Sequence, residues 1–574
     1  MKIDPKAREQ MKNLYGENRK IEGVFDASLS VSVENGTFVG KKADGVLSFK
    51  GIPYAKAPVG NLRWKIAQPP EKSQNFYEAY YFGPSPIQTE LFSEYGSLYR
   101  QSEDCLYLNV WKSTDDITSG QSNESGTGTD STEGHPVMVF IHGGSYGWGG
   151  TSDPLYEGSN FVRNHPDIIL VTVGYRTGIL GFLDLSFVPG GEEFPDSANL
   201  GLLDQIEALR WIKRNIAVFG GDPENVTIFG ESAGGGSASI LPVMPEAKGL
   251  FRRSIAESGS IALTFSRKEC ANLTKRLLKK TGCKSAGELA ALTEEEIKAV
   301  NEPLNEYNNF PMRDDVHVPL DLYEAYNRGD AKDIEIISGT NADECRYWIR
   351  ELGGIVPYMF MIPVLFDNNM LRLTLDDRKR AIKYLLKEKG LLGWRRTSFY
   401  TDLLFRVPML KQSELHTKSG GRSYVYYWDQ PSGLKYLKAC HAVELAYVFE
   451  NPECNVFTGD IFDEKLSRSV ADLWADFARG KPLEFEGENG RAFWPVYDEA
   501  AKKSLRLGGK IEILEDNLPE RRKRIEPLLR YRFNGYYAEL SFRIPYIWQK
   551  IFELLILLAF LGLIVWMIIH FING

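Results

Sequence analysis

Two stretches of nearly unbroken apolar residues, 137–141 and 168–173, constrain this chain more tightly than any other feature. A strand that is apolar at every position has both faces buried, the situation of a strand inside a parallel sheet covered by helices. Residues 226–229 form a third short strand of this kind, followed at once by a glycine-rich turn and the small residues 233–239. Between the second and third strands, Leu202, Ile206, Leu209, Ile212 and Ile216 recur at steps of three or four, the spacing of an amphipathic helix. Further strands are predicted at 334–337 and 424–428, with helices at 269–281, 376–389 and 464–479. The alternation predicts an α/β fold with a large, mostly parallel central sheet flanked by helices. Residues 21–112 differ: short β-rich pieces broken at Asn35-Gly36 and Gly51-Ile52-Pro53 predict antiparallel strands and loops ahead of the parallel core.

No internal repeat or long linker divides the middle of the 574 residues, and 43% hydrophobic residues leave ample material for one core, so a single unit over 21–515 is expected. Residues 1–20 read as a polar extension, and 113–134, almost all Ser, Thr, Gly, Asp and Glu, as a solvated loop insertion. A net charge of −8 removes the electrostatic motive for nucleic-acid binding. Residues 516–545 read as a basic juxtamembrane linker, and 551–571 are apolar all round. About 20 helical residues at about 1.5 Å each match a hydrocarbon core of about 30 Å, so a C-terminal transmembrane helix is expected within 546–574. Arg521, Arg522, Lys523, Arg524 and Lys550 precede it, and only Asn573 and Gly574 follow Ile572. By the positive-inside rule this is a tail anchor with the large domain in the cytoplasm. The first 20 residues, which lack the apolar stretch of a secretory signal, fit that expectation.

Gly230-Glu231-Ser232-Ala233-Gly234 fits G-x-S-x-G. A serine on a tight strand-to-helix turn needs glycine on both sides to avoid backbone clashes, and here the motif lies between a predicted strand and a predicted helix. A nucleophilic serine also needs amide protons aimed at the oxygen that becomes negative. Ala233 N–H is one candidate; His142-Gly143-Gly144-Ser145, after strand 137–141, offers Gly144 and Ser145. The base is sought among seven histidines. In this chain order of serine, acid and histidine, His135, His142 and His165 come too early and His570 falls in the apolar tail. Of His317, His416 and His441, position favours His441: His416 reads as part of an exposed helix, and His317 leaves little room for an acid. The acid is expected on the loop after strand 334–337, where Asp343 and Glu344 remain equal choices.

Six longer motifs go further: GIPYAKAPVGNLRW at 51–64, EDCLYLNVW at 103–111, FGGDPENVTIFGESAGG within 199–235, GTNADE ending at Glu344, CHAVEL from Cys440, and WPVYD at 494–498. Through them the chain resembles the carboxylesterase type B family, which includes the cholinesterases, over nearly all of 21–510. The resemblance implies an α/β-hydrolase fold and a triad of Ser232, Glu344 and His441, with no metal or organic cofactor. It also implies that Arg63 with Glu103, and Arg176 with Asp204, are structural ion pairs. Cys105 resembles a family cysteine whose upstream partner is missing here, in keeping with a reducing compartment; Cys270 and Cys283 could pair but are expected to be free. The loop before Cys105 lacks the cholinesterase tryptophan, with Tyr95 near its place, so a choline ester is not the expected substrate. The function implied is hydrolysis of small, fairly apolar carboxylic esters through an acyl-enzyme. The alternative is a membrane-tethered, non-enzymatic adhesion protein of the same fold. Acyl and alcohol preference, which depends on pocket loops such as 346–368, and oligomeric state do not follow from the sequence.

Overall fold

The computed structural model describes residues 16–88, 100–115, 134–305, 310–347, 375–390, 392–488, 490–529, 555, 558–567 and 570. Tyr95, nearly all of the 113–134 insertion and the 346–368 loop beyond Tyr347 lie outside them. Eleven strands among the described residues build the central sheet: β1 (Lys41–Ala43), β2 (Val46–Pro53), β3 (Tyr107–Ser113), β4 (His135–Ile141), β5 (Ile169–Val173), β6 (Gly221–Glu231), β7 (Arg253–Glu257), β8 (Glu335–Asn341), β9 (Arg422–Trp428), β10 (Ser504–Leu507) and β11 (Glu512–Leu514). They lie in the order β1-β2-β3-β5-β4-β6-β7-β8-β9-β10-β11. From β5 to β10 all neighbours are parallel, and the first three strands and β11 pair antiparallel. The apolar runs are the middle of this sheet, with β5 buried along its whole length.

The register sets the position of the site. Ile141, Gly230, Ala256, Ser338 and Val425 form one continuous row across β4, β6, β7, β8 and β9. The carboxyl ends of five parallel strands therefore open on one edge, next to β4, where the strand order reverses. That crevice is where ligands meet open α/β sheets.

Local chemistry delimits the helices. In α1 (Leu200–Asn215) the periodic apolar residues face the sheet and are buried. The helix α2 (Ala233–Ile240) is buried on every side, as its small residues permit. A capping box of Ser266 and Glu269 starts α3 (Arg267–Thr281), and Gly282 ends it in the left-handed conformation at φ 78°. The helix α4 (Leu375–Lys387) lies near the C-terminal part of the domain. Asp463 caps α6 (Glu464–Arg479) by accepting from Leu466 N–H at 3.0 Å, and Gly480 closes it. Leu466, Val470, Trp474 and Phe477 along one face of α6 are buried, each contributing about 1.5–3 kcal/mol of apolar burial.

Two expectations are corrected. His416, on α5 (Val407–Lys418), is buried, with Nδ1 2.8 Å from Ser423 Oγ and Nε2 3.1 Å from Ala331 O. Its polar neighbours Gln412, Ser413 and Glu414 are buried as well, and of residues 411–418 only Lys418 is exposed. Residues 516–529 are part of the folded domain: α7 (Pro519–Ile525) buries Ile525, and its basic run is used in ion pairs, Arg521 with Asp402 (2.7 Å) and Arg522 with Asp516 (2.9 Å). The remainder of the expected linker lies outside the described residues. Among the described residues no helix is long and apolar enough to cross a membrane. Of the apolar run 551–571, Leu555, 558–567 and His570 are described, as helix, with Leu558, Phe560, Leu563 and Trp566 exposed. The rest of that run lies outside the described residues.

Candidate active site

A single residue, Ser232, joins β6 to α2, at φ 58° and ψ −116°. Few L-residues adopt such angles, and backbone strain of this kind persists only where the surroundings over-determine it. They do so here: a Cβ on Gly230 would stand 2.5 Å from the Ile141 carbonyl oxygen, and one on Gly234 would run into the same atom. The turn is pressed against the end of β4, so both flanking glycines are a consequence of tertiary packing. Ser232 N–H donates to Glu257 O at 2.9 Å, and Ser232 O accepts from Gly236 N–H at 2.7 Å. Glu231 and Ala233 are buried, whereas Ser232 is partly exposed at the crevice.

The loop after β4 passes beside it, since a Cβ on Gly143 would lie 3.2 Å from Ser232 Cβ. Gly144 (φ 105°) and Ser145 (φ 52°) turn the chain in the left-handed region, and both are partly exposed on the same side. The N–H groups of Gly144, Ser145 and Ala233 make no hydrogen bond to another described residue. His142, by contrast, is buried against Tyr175, with ring centroids 4.4 Å apart, and burial lowers its pKa to about 4.

His441 and Glu344 come together from loops after β9 and β8. Glu344 Oε2 is 2.6 Å from His441 Nδ1, and its Oε1 accepts from Asn341 N–H at 2.7 Å. The backbone repeats the pairing, His441 N–H donating to Glu344 O at 3.3 Å. Asp343, the other acid open from sequence, points away to Arg346 Nε at 2.8 Å. His317 is also excluded by its surroundings: its nitrogens lie 2.6 Å from Glu246 Oε1 and 2.8 Å from Asp196 Oδ1, in a separate cluster.

Sequence reasoning missed three further buried acids here. His441 Nε2 is 3.2 Å from Glu231 Oε1, so the second ring nitrogen faces the turn that carries Ser232. Glu444 Oε1 accepts from Ser258 Oγ at 3.2 Å and its other oxygen from Asn341 Nδ2. Glu257 Oε1 accepts from Trp474 Nε1 at 2.8 Å. Glu231 is the variable residue of G-x-S-x-G and Glu444 ends the CHAVE segment, so both were in view without a pattern that marks them. Burial opposes a charge on the His441 ring, but Glu231 and then Glu344 more than offset it, and the pKa rises to about 9. Burial raises the pKa of Glu231; the imidazolium pulls it back, and Glu444 and Glu344 push it up again. Glu257 is pushed well above the ordinary carboxylate range, first by burial and then by Glu444. Glu231, Glu257 and Glu444 each have their pKa raised first by burial and then by neighbouring carboxylates, so the three are not all ionised together. Phe405 and Tyr347 flank the imidazole, with centroids 5.1 and 5.9 Å from it.

The expected ion pairs lie away from this chemistry. Arg63 Nε is 2.6 Å from Glu103 Oε2, and Arg176 holds both oxygens of Asp204, at 2.8 and 2.6 Å. All six cysteines are free thiols, Cys270 and Cys283 included.

Comparison with known proteins shows the family of the chain. The profile of the family described as "Carboxylesterase family" matches residues 27–525. The para-nitrobenzyl esterase of Bacillus subtilis (strain 168) is 35% identical over 527 residues, covering 87% of this chain and 98% of its own. Liver carboxylesterase B-1 of Rattus norvegicus is 31% identical, covering 83% of this chain and 90% of its own. Among solved structures, a Geobacillus stearothermophilus carboxylesterase superimposes with a TM-score of 0.73 at 30% identity, over 87% of this chain and 100% of that one.

Proposed function

Because the chain belongs to the carboxylesterase family and is an ester hydrolase, we propose that it acts through Ser232 as nucleophile, His441 as general base and Glu344 as the acid that orients the imidazole. The observation that carries this reading is the orientation of His441: Nδ1 is held by Glu344 at 2.6 Å, and Nε2 is turned towards the Glu231–Ser232 bend. In this reading the imidazole takes the Ser232 proton, and the oxygen attacks the ester carbonyl. Gly144, Ser145 and Ala233 N–H groups stabilise the resulting oxyanion. The alcohol leaves with the proton carried by His441, and water activated by the same ring releases the acid. Small, fairly apolar esters suit a crevice flanked by Phe405 and Tyr347. Family membership alongside named esterases displaces the non-enzymatic adhesion alternative.

The test is hydrolysis of short-chain p-nitrophenyl esters by the purified chain and by Ser232→Ala. The variant should lose activity by a factor on the order of 10⁴ or more; equal activity in a folded Ser232→Ala protein would refute the assignment. We further propose that the apolar C-terminal run anchors the chain in a membrane with the catalytic domain on the cytoplasmic side, supported by the run's length and by Lys550 immediately before it.

A further inference from the structure

The outer face of α4 is a row of cations that the folded domain does not neutralise. Lys379, Lys383, Leu386 and Lys387 recur at helical spacing on one side of the helix, with Arg380 beside them and Lys389 just past its end. All six are exposed, Leu386 by 73%. Lys379 Nζ lies 3.2 Å from Asp376 Oδ1. Arg380, Lys383, Lys387 and Lys389 form no ion pair with another described residue. The other carboxylates of the segment are spent elsewhere: Asp377 is buried, and Glu388 lies 3.9 Å from Arg521 and 3.6 Å from Arg524 of α7. Like charges four positions apart oppose helix formation, and this row repeats them, Lys379 with Lys383 and Lys383 with Lys387. The whole chain carries −8, so the row is a property of this face and not of overall charge.

The row stands where the domain ends. Ala381, Tyr384 and Leu385, on the inner side of α4, share one apolar cluster with Ile525 of α7 and with Leu528, and Leu529 packs against that cluster. The domain's last described residue therefore lies one helix diameter, about 10 Å, from the cationic row. In sequence, the 21 residues from 530 to 550 hold Arg530, Arg532, Arg543 and Lys550 against Glu539 alone, and the apolar run follows at Ile551. Tyr536, Tyr537, Tyr546 and Trp548 lie among them. Cations mixed with tyrosine and tryptophan make up the composition of the headgroup zone of a bilayer.

Taking the apolar run as the membrane anchor put forward above, we propose that the outer face of α4 rests on an anionic bilayer surface, with Arg380, Lys383 and Lys387 meeting lipid headgroup anions and Leu386 entering the headgroup layer. The cytoplasmic leaflet carries the negative potential such a row answers. A bilayer also offers apolar depth for Leu386, which a nucleic acid does not. The anchor supplies the surface at high effective concentration, so contacts that are individually weak suffice to seat the domain.

The test uses the full chain in phosphatidylcholine vesicles, with or without about one-third phosphatidylserine. A fluorophore is attached through Leu386→Cys in a Cys283→Ser background, because Cys283 is the one of the six free thiols that is not buried. Headgroup-spin-labelled lipid should quench it in the phosphatidylserine vesicles, and much less in phosphatidylcholine vesicles or in about 0.5 M salt. The same fluorophore attached through Lys42→Cys, on exposed β1 at the opposite edge of the sheet, should report no difference. Lys383→Glu combined with Lys387→Glu changes the charge of the face by four. It should abolish the quenching, a change on the order of 10³-fold in the seating equilibrium at about 1 kcal/mol per charge, with hydrolysis of soluble p-nitrophenyl esters unchanged. Equal quenching in both lipid compositions, equal quenching at the two positions, or a double variant that behaves as the parent would overturn the proposal. Alkaline carbonate extraction of the same vesicles reads the anchor separately. A chain that resists extraction while its fluorophore at position 386 stays unquenched refutes the face alone; an extracted chain refutes the anchor, and the quenching before extraction still decides the face.

Discussion

At Ser232 the backbone holds a conformation that only close packing against β4 can sustain, and the side chains around it share too few counter-charges for their carboxyls. Glu231 is the residue through which this can be tested. In the proposed mechanism His441 must be neutral to accept a proton, so activity rises with pH through its pKa, itself raised to about 9 with Glu231 among the causes. Glu231→Gln removes that negative charge, and the acidic limb of the kcat/KM profile should move to lower pH, by on the order of one unit. An unmoved limb would show that Glu231 is already neutral in the free enzyme. His317 provides a second, independent case. Both its nitrogens face carboxylate oxygens, and a neutral imidazole has one N–H, so both bonds require the imidazolium. Burial opposes that charge, but the bonds to Asp196 and Glu246 outweigh it and the pKa is raised above 6.5. The stabilisation is therefore complete below pH 6.5 and is lost as pH rises through the folded-state value. His317→Gln should lower stability by about 1–2 kcal/mol near pH 6, with the difference from the parent shrinking in alkaline solution; urea unfolding at several pH values measures it.

At the scale of elements, helices and strands follow local rules that the residues state openly, and their ends follow caps. Replacing Asp463 by Ala removes the acceptor for Leu466 N–H at the start of α6 and should cost about 1 kcal/mol, read as a lower urea midpoint with unchanged slope. The short helix α7 carries local signals, Pro519 and Glu520 in its first turn and basic residues in its last, but they do not foretell that it docks on the domain. Its sequence, Pro-Glu-Arg-Arg-Lys-Arg-Ile, resembles a solvated basic linker, but Asp402 and Glu388 across the contact turn Arg521 and Arg524 into docking groups, while Arg522 pairs locally with Asp516 and Glu526. Ile525→Ala should destabilise the domain by about 2–4 kcal/mol, which a linker residue would not do. His416 misled because its helix is polar in sequence yet buried along most of its length, where Ser423 Oγ and Ala331 O hold the imidazole.

At the scale of the whole molecule, the proposed anchor and the catalytic domain are separable. A chain ending at residue 545 should keep its rate on soluble p-nitrophenyl esters while moving from the carbonate-resistant membrane pellet to the soluble fraction; a full-length chain already soluble without detergent would refute the anchor. Sequence alone determined the alternation of buried strands and amphipathic helices, because burial on both faces leaves an uninterrupted apolar signature that needs no knowledge of the neighbours. It also placed Ser232 on a strand-to-helix bend, since glycine at both flanks is a local record of crowding. It left Asp343 and Glu344 equal until the motif resemblance was considered, and it was silent on Glu231, Glu257 and Glu444 as a group. Only the tertiary structure decided which acid meets His441 and how many others crowd it. Those contacts join residues up to about two hundred positions apart in the chain, and such distances leave no periodic trace in a linear pattern; they exist only once parallel strands bring their carboxyl ends to one edge of the sheet.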